Sequence, residues 1–167
     1  MSTCCFLGHR NIDKTPTLIK RLFSTIENLI VKENVNTFLF GSKSDFDSLC
    51  HKVVTEIRTK HPHIKRIYVR SAFPDITASY EKYLLKSYEE TYFSESLRNA
   101  GKASYVERNK EMINKSDFCI FYYDENYLPP RRKNSKKALS DYQPKSGTAT
   151  AYAYAVQKKK NIINVIY

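Results

Sequence analysis

NTFLFGSKSDFDSLCHKVVTEIRTKHPHIKRIYVRS, residues 36–71, sets a strand-like run on each side of a helical one. NTFLFG (36–41) is apolar and closed by a glycine. Beyond it Phe46, Leu49, Cys50, Val53, Val54 and Ile57 recur at three- and four-residue steps, which places them on one face of a helix. Ser44 or Asp45 is its cap, because a short polar side chain there accepts from a free backbone N–H. His61-Pro62 ends the helix, since the residue before a proline is pushed out of the helical region. RIYVRS (66–71) then reads as a strand, being β-branched and aromatic. Strand, helix, strand is the repeating unit of a parallel sheet.

The alternation continues in both directions. On the N-terminal side TCCFLG (3–8) is a strand, and Thr15-Pro16 caps and opens a helix whose Leu18, Leu22, Ile26, Leu29 and Ile30 share a stripe. On the C-terminal side SYVERNKEMINK (104–115), with Ser104 as its cap, precedes the buried-looking strand DFCIFYY (117–123). GTATAYAYAVQ (147–157) is a small-residue helix with Thr148, Ala149, Ala153 and Val156 available for packing, and NIINVIY (161–167) is a closing strand. Between the halves, YEKYLLKSYEETYF begins as helix and becomes a short strand near Thr91–Phe93. The fold class is α/β: a Rossmann-like parallel sheet with helices on both faces, in a single domain over residues 1–167.

Composition agrees. The 167 residues are 41% hydrophobic and 13% aromatic, too apolar for a disordered chain and enough for one core without disulfides or metal. No stretch approaches the roughly 20 apolar residues that span a bilayer. MSTCCFLGHR lacks the layout of a signal peptide, so the expected location is the cytoplasm, with no membrane partner. Cys4, Cys5, Cys50 and Cys119 each lie in or beside an apolar run, as buried reduced thiols do. His61-x-His63 and Cys50-His51 supply no set of four ligands, so no metal and no cofactor is expected. The net charge of +11 favours phosphate-bearing partners without choosing among them. Part of that charge lies in a basic, proline-containing loop at about 124–144, expected to be mobile or ordered by a partner.

In a sheet of this kind ligands bind beyond the carboxyl ends of the strands. Gly8 and Arg10 follow the first strand, Gly41 and Ser42 the second, Arg108 and Asn109 lie on the helix before the fifth, and Ser146, Gly147 and Thr148 open the last helix. Strand-end glycines let backbone approach a ligand, and free N–H groups at a helix start attract anions. Asp45 and Asp47 stand where carboxylates favour a helix dipole, and Asp47 is also a candidate for a ribose hydroxyl or a general base. Tyrosines in 80–92 and 152–154 belong either to the core or to a base-stacking wall. Neither G-x-G-x-x-G nor G-x-x-x-x-G-K-[ST] occurs, which argues against an ordinary dinucleotide oxidoreductase or P-loop enzyme.

The succession FLGHR, FGSKSDFD, ERNKEMI-x3-D-x-CIFYY and SGTATAYAYA-x4-KNIINVI resembles the YpsA-like branch of the SLOG (SMF/DprA/LOG) superfamily, over nearly the whole chain. The resemblance implies a Rossmann-like domain that binds a nucleotide or nucleotide-derived signal. It carries Gly8 and Arg10, Gly41 and Ser42, Arg108 and Asn109, and Ser146, Gly147 and Thr148 over as four loops of one pocket. Such domains occur in bacterial and phage settings. The chain departs from the phosphoribohydrolase branch, which resembles "Lonely Guy" enzymes and has a PGG-x-GT-x2-E run. Here the glutamate position is Ala151 and the proline-glycine pair is Lys145-Ser146, while Arg108 matches the partner arginine. Loss of a general acid or base costs typically about 10²–10⁴-fold, which favours binding over hydrolysis. The alternatives are an N-glycosidic-bond-cleaving or transferring enzyme using Asp47, Glu107 or Asp124, and a nucleic-acid-binding module. A homo-oligomer is compatible with each.

Overall fold

Alternate side chains of the central strands part to opposite faces, and this divides the core in two. Cys4, Phe6, Phe38, Phe40 and Ile120 join one buried cluster, while Cys5, Leu7, Leu39, Cys119 and Phe121 join the other. The computed structural model describes residues 1–41, 43–128 and 146–167. Its strands are β1 (Ser2–Gly8), β2 (Val35–Phe40), β3 (Lys65–Arg70), β4 (Glu90–Phe93), β5 (Phe118–Tyr122) and β6 (Asn161–Asn164). They form one six-stranded sheet in the order β4-β3-β2-β1-β5-β6, every neighbouring pair parallel. Register fixes the two faces, since Cys5 lies opposite both Leu39 and Cys119, and Cys4 lies opposite Phe38 and Phe118.

Helices α1 (Pro16–Glu33) and α2 (Asp45–Ile57) cover the first face, and α4 (Ser104–Lys115) and α5 (Gly147–Gln157) cover the second. Helix α1 starts where the sequence marks it. The Thr15 hydroxyl accepts from the Leu18 N–H at 3.1 Å, and Pro16 occupies the first helical position. Of the two candidate caps of α2 the structure selects Ser44, whose Oγ accepts from the Asp47 N–H at 3.1 Å. The middle segment resolves into α3 (Ala78–Leu84) followed by β4. All four cysteines are free and buried, and burial pushes the Cys4, Cys5 and Cys50 thiols well above their ordinary range, which keeps them protonated and unreactive.

Three local expectations change. Helix α4 begins at Ser104 behind a short 3₁₀ turn (Gly101–Ala103), so Ser104 is not its cap, and Ala103 in that place offers no side-chain bond. Helix α5 packs through Thr148, Ala151 and Ala155, whereas Ala153 and Val156 are exposed. A run of small residues has no amphipathic period from which its inner face could be read. Strand β6 stops at Asn164, and the last three residues form no strand.

The chain lays down β1, β2, β3 and β4 in one direction and then crosses back over β1 to add β5 and β6. Connections therefore diverge to opposite faces beside β1, leaving a crevice at the carboxyl edge. Among the described residues no helix is long and apolar enough to cross a membrane, and no group of three or more His, Cys, Asp or Glu is placed to hold a metal ion. Of the basic loop at about 124–144, residues 129–144 lie outside the described ones.

Candidate functional site

At that edge lies a cleft of about 480 Å³. Eight of the ten residues singled out from the sequence line it: Gly8, Arg10, Gly41, Arg108, Asn109, Ser146, Gly147 and Thr148. Ser42 lies outside the described residues. Asp47 is buried on the first turn of α2, behind the lining rather than in it.

Each lining residue is held by the element that ends or begins beside it. Gly8 closes β1 against the Phe46 ring, where a Cβ would overlap the ring carbons. The next carbonyls turn over α2, and the Arg10 oxygen accepts from the Asp45 N–H at 2.8 Å, which fixes the loop while the Arg10 side chain reaches solvent. Gly41 follows β2 under the Arg108 side chain. A Cβ there would sit 2.8 Å from the Met112 sulfur and 2.9 Å from Arg108 Cδ. Arg108 is 4% exposed, and its Nη1 donates to the Gly41 carbonyl. Its Nη2 donates to Asn109 Oδ1 at 3.3 Å, and its Nε has no partner. Burial pulls the guanidinium pKa below the ordinary arginine value, and Tyr68, Asp47 and Tyr105 oppose that shift. An arginine remains charged under any such balance. The Tyr105 ring stands 5.5 Å from the Arg108 guanidinium carbon, a cation–π distance.

On the α5 side, Ser146 caps the helix by accepting from the Ala149 N–H at 3.0 Å. The N–H groups of Gly147 and Thr148 precede any helical acceptor, so the helix itself leaves them as donors at the positive end of its dipole. Among the described residues nothing lies within 4 Å of where a Gly147 Cβ would stand.

Besides Tyr80, one of the tyrosines in 80–92, the cleft contains residues that the sequence reading did not single out as a site. His9 is 2% exposed. Its Nε2 accepts from the Asp124 N–H at 2.9 Å, which assigns the proton of the neutral ring to Nδ1, an atom without a partner. Tyr127 stacks on it, ring centroids 3.9 Å apart. Arg70 ends β3, and Tyr68, Phe73 and Tyr80 stand near it along the wall. The signal for Arg70 was present, since a cation closing an apolar strand of a parallel sheet points to the ligand edge. Tyr105 and Tyr127 had no comparable mark, because their placement depends on long-range packing.

The cleft thus combines four cations, Arg10, Lys43, Arg70 and Arg108, with aromatic walls. Among the described residues that line it there is no Asp or Glu. It has the chemistry of an anion receptor with faces for a flat ring.

Comparison with known proteins gives the same direction. The model of the YspA SLOG family matches residues 7–161. An uncharacterized SPbeta prophage-derived protein, YoqJ, of Bacillus subtilis (strain 168) is 40% identical over 57 residues, which amount to 32% of this chain and 33% of that protein. That match spans only about a third of the relative's length. With the family match covering all four strand-end loops and a parallel sheet that sets them around one crevice, the chain belongs to the YspA SLOG family.

Proposed function

We propose that the chain binds a phosphate-bearing nucleotide, or a signal derived from one, in the cleft at the carboxyl edge of the sheet, and does not hydrolyse it. The observation that carries this reading is the lining: four cations and the start of α5 for phosphate, aromatic rings for a base, and no carboxylate among its described residues. Phosphate is the anion that helix starts and arginine forks hold best. The family to which the chain belongs supports a nucleotide-type ligand, and the resemblance to a prophage-derived protein supports a bacterial or phage setting.

The absence of hydrolysis rests on Ala151 and on where the substitute carboxylates stand. Ala151 is buried among the apolar residues between α5 and the sheet. Asp47 is behind the lining, Glu107 pairs with Lys110 at 3.5 Å, and the Asp124 carboxylate accepts from the Asn126 N–H at 2.9 Å. None is among the cleft residues.

Thermal denaturation against AMP, GMP and dinucleotides tests the reading. A nucleotide at 100 times its Kd adds about 2.7 kcal/mol, which for a chain of this size raises Tm by roughly 5–10 °C. Arg108→Met keeps the apolar volume over Gly41 and removes a charge-assisted contact of about 1.5–3 kcal/mol, so the Kd rises by roughly 10- to 150-fold. Free base released from a nucleoside monophosphate by the wild-type protein, and lost in Asp47→Asn or Glu107→Gln, would establish the glycosidase alternative instead.

A further inference from the structure

Two arginines of β3, four residues apart and both nearly buried, are treated in opposite ways. Arg66 is 8% exposed, and its guanidinium is filled: Nε and Nη2 donate to the Glu89 carboxylate at 3.1 and 2.7 Å, and Nη1 donates to Thr55 Oγ1 at 2.9 Å. Arg70 is 9% exposed, and among the described residues its guanidinium donates from Nη1 to the Phe73 carbonyl at 2.7 Å. Its Nε has no partner, and among the described residues no carboxylate pairs with it. A buried cation without a counter-charge is costly to fold, so a site that keeps one is built for an anion that arrives later. The carbonyl that Arg70 holds belongs to Phe73, whose φ of 59° is a left-handed conformation that a bulky residue rarely adopts. The bond thus fixes a strained loop at the mouth of the cleft, with the Phe73 ring 65% exposed beside Tyr80 at a centroid distance of 6.1 Å.

Arg70, at the end of β3, is also three strands away from β5, after which the chain runs to α5. At about 4.8 Å per strand that is roughly 14 Å of backbone, more than one phosphate group can bridge. Between them, Arg108 Nε and His9 Nδ1 are further buried nitrogens without partners. The strand order sets the elements that carry these donors in a row along the carboxyl edge.

From this row we infer that the ligand carries two separate anionic groups, one taken at the α5 start and one at Arg70, so that Arg70 selects a bisphosphorylated nucleotide over a monophosphate. The inference rests on the nucleotide-binding reading and adds the ligand's charge pattern to it. Phe73 and Tyr80, beside Arg70, supply apolar ring surface to that second station.

Calorimetric titration of the full chain with AMP and GMP, and with adenosine and guanosine 3′,5′-bisphosphate, separates the two claims. The expected result is a bisphosphate Kd at least tenfold below that of the matching monophosphate. Arg70→Gln, which keeps a donor for the Phe73 carbonyl, should erase that ratio by raising the bisphosphate Kd at least tenfold, while the monophosphate Kd rises by a smaller factor. Arg70→Lys should restore part of it. Equal affinity for the two classes, or an equal loss of both in Arg70→Gln, overturns the second station while the nucleotide-binding reading stands. If no probe binds at millimolar concentration, the nucleotide reading itself fails and this inference falls with it. Melting of the free variants guards against misfolding: Arg70→Gln should melt at or above wild type, because it removes an uncompensated buried charge. A large fall in its Tm would identify Arg70 as structural and sink the proposal.

Discussion

Three glycines of the cleft look alike in the sequence and differ in what surrounds them. Gly8 is required by packing, since Phe46 fills the place of its side chain. Gly41 gives way to the Arg108 and Met112 side chains, whose ends can move. Gly147 meets no described residue, which on the nucleotide-binding reading leaves the room beside it for the ligand. Gly8→Ala should therefore cost about 1–3 kcal/mol through overpacking of a rigid ring, seen as a lower urea midpoint with unchanged slope. Gly147→Ala should leave that midpoint unchanged or raise it slightly, because alanine is the better helix residue. Its added methyl enters the ligand's space, so nucleotide affinity should fall even though the fold does not suffer. A Gly147→Ala protein that bound normally would move the ligand away from the start of α5.

Among the elements, β4 is the one that propensity explains least. It is four residues long, lies at the sheet edge, and has only partly buried side chains. What fastens it is the clamp from β3: Arg66 donates to the Glu89 carboxylate from its guanidinium and also from its backbone N–H, at 2.7 Å, and the Glu89 N–H donates to the Arg66 carbonyl at 2.9 Å. Glu89→Gln leaves a nearly buried guanidinium with a neutral partner. The expected loss is about 3 kcal/mol, at the lower end for a broken buried pair because the Glu89 side chain is 23% exposed. Differential scanning calorimetry reads it, and Lys65→Gln, which removes an exposed ion pair of the same strand, should change little. The same contrast explains how much of the fold was legible. The β1, β2, β3 and β5 runs announce themselves by composition, helices α1 and α2 by period and caps, and α4 by its helix-forming residues alone, its expected cap Ser104 being already inside the helix. The segment 72–103 does not, because its α3 and β4 depend on a few long-range contacts such as Arg66–Glu89. In the cleft, Gly8, Gly41 and Ser146 were legible because strand ends and helix starts have a local mark, and Arg108, inside α4, through the resemblance of its ERNKEMI run. His9, Tyr105 and Tyr127 became visible only once β1, α4 and the turn after β5 stood side by side. Asp47 is buried on the first turn of α2 and is not among the lining residues, a placement that its spacing from Asp45 along the helix start does not reveal.

For the whole molecule, charge and histidine burial act together on acid stability, and salt can tell them apart. The net charge of +11 rises further as carboxylates protonate, and the resulting self-repulsion weakens with added salt. His9 and His51 act otherwise. Burial lowers the pKa of both, in His9 against the Asp124 contacts and in His51 against the Ser87 carbonyl. A base whose folded pKa lies below its unfolded value of about 6.5 binds its proton more readily in the unfolded chain. The stability it contributes is complete above that value and is lost as pH falls from there toward the folded pKa. For His9 the structural reason is direct, because protonation puts a hydrogen on Nε2 where the Asp124 N–H already points. Tm should therefore be flat from about pH 8 to 7 and decline from about pH 6.5 downward, before carboxylate protonation begins. Raising the salt should not remove this first decline, since a buried proton clash is not screened. His9→Asn, which retains an acceptor for the Asp124 N–H but has no ring to titrate, should flatten the decline in part and leave the share due to His51. A decline between pH 6.5 and 5 that vanished in salt, and was the same in His9→Asn, would assign the acid sensitivity to surface repulsion and show that the His9–Asp124 contact does not hold the turn.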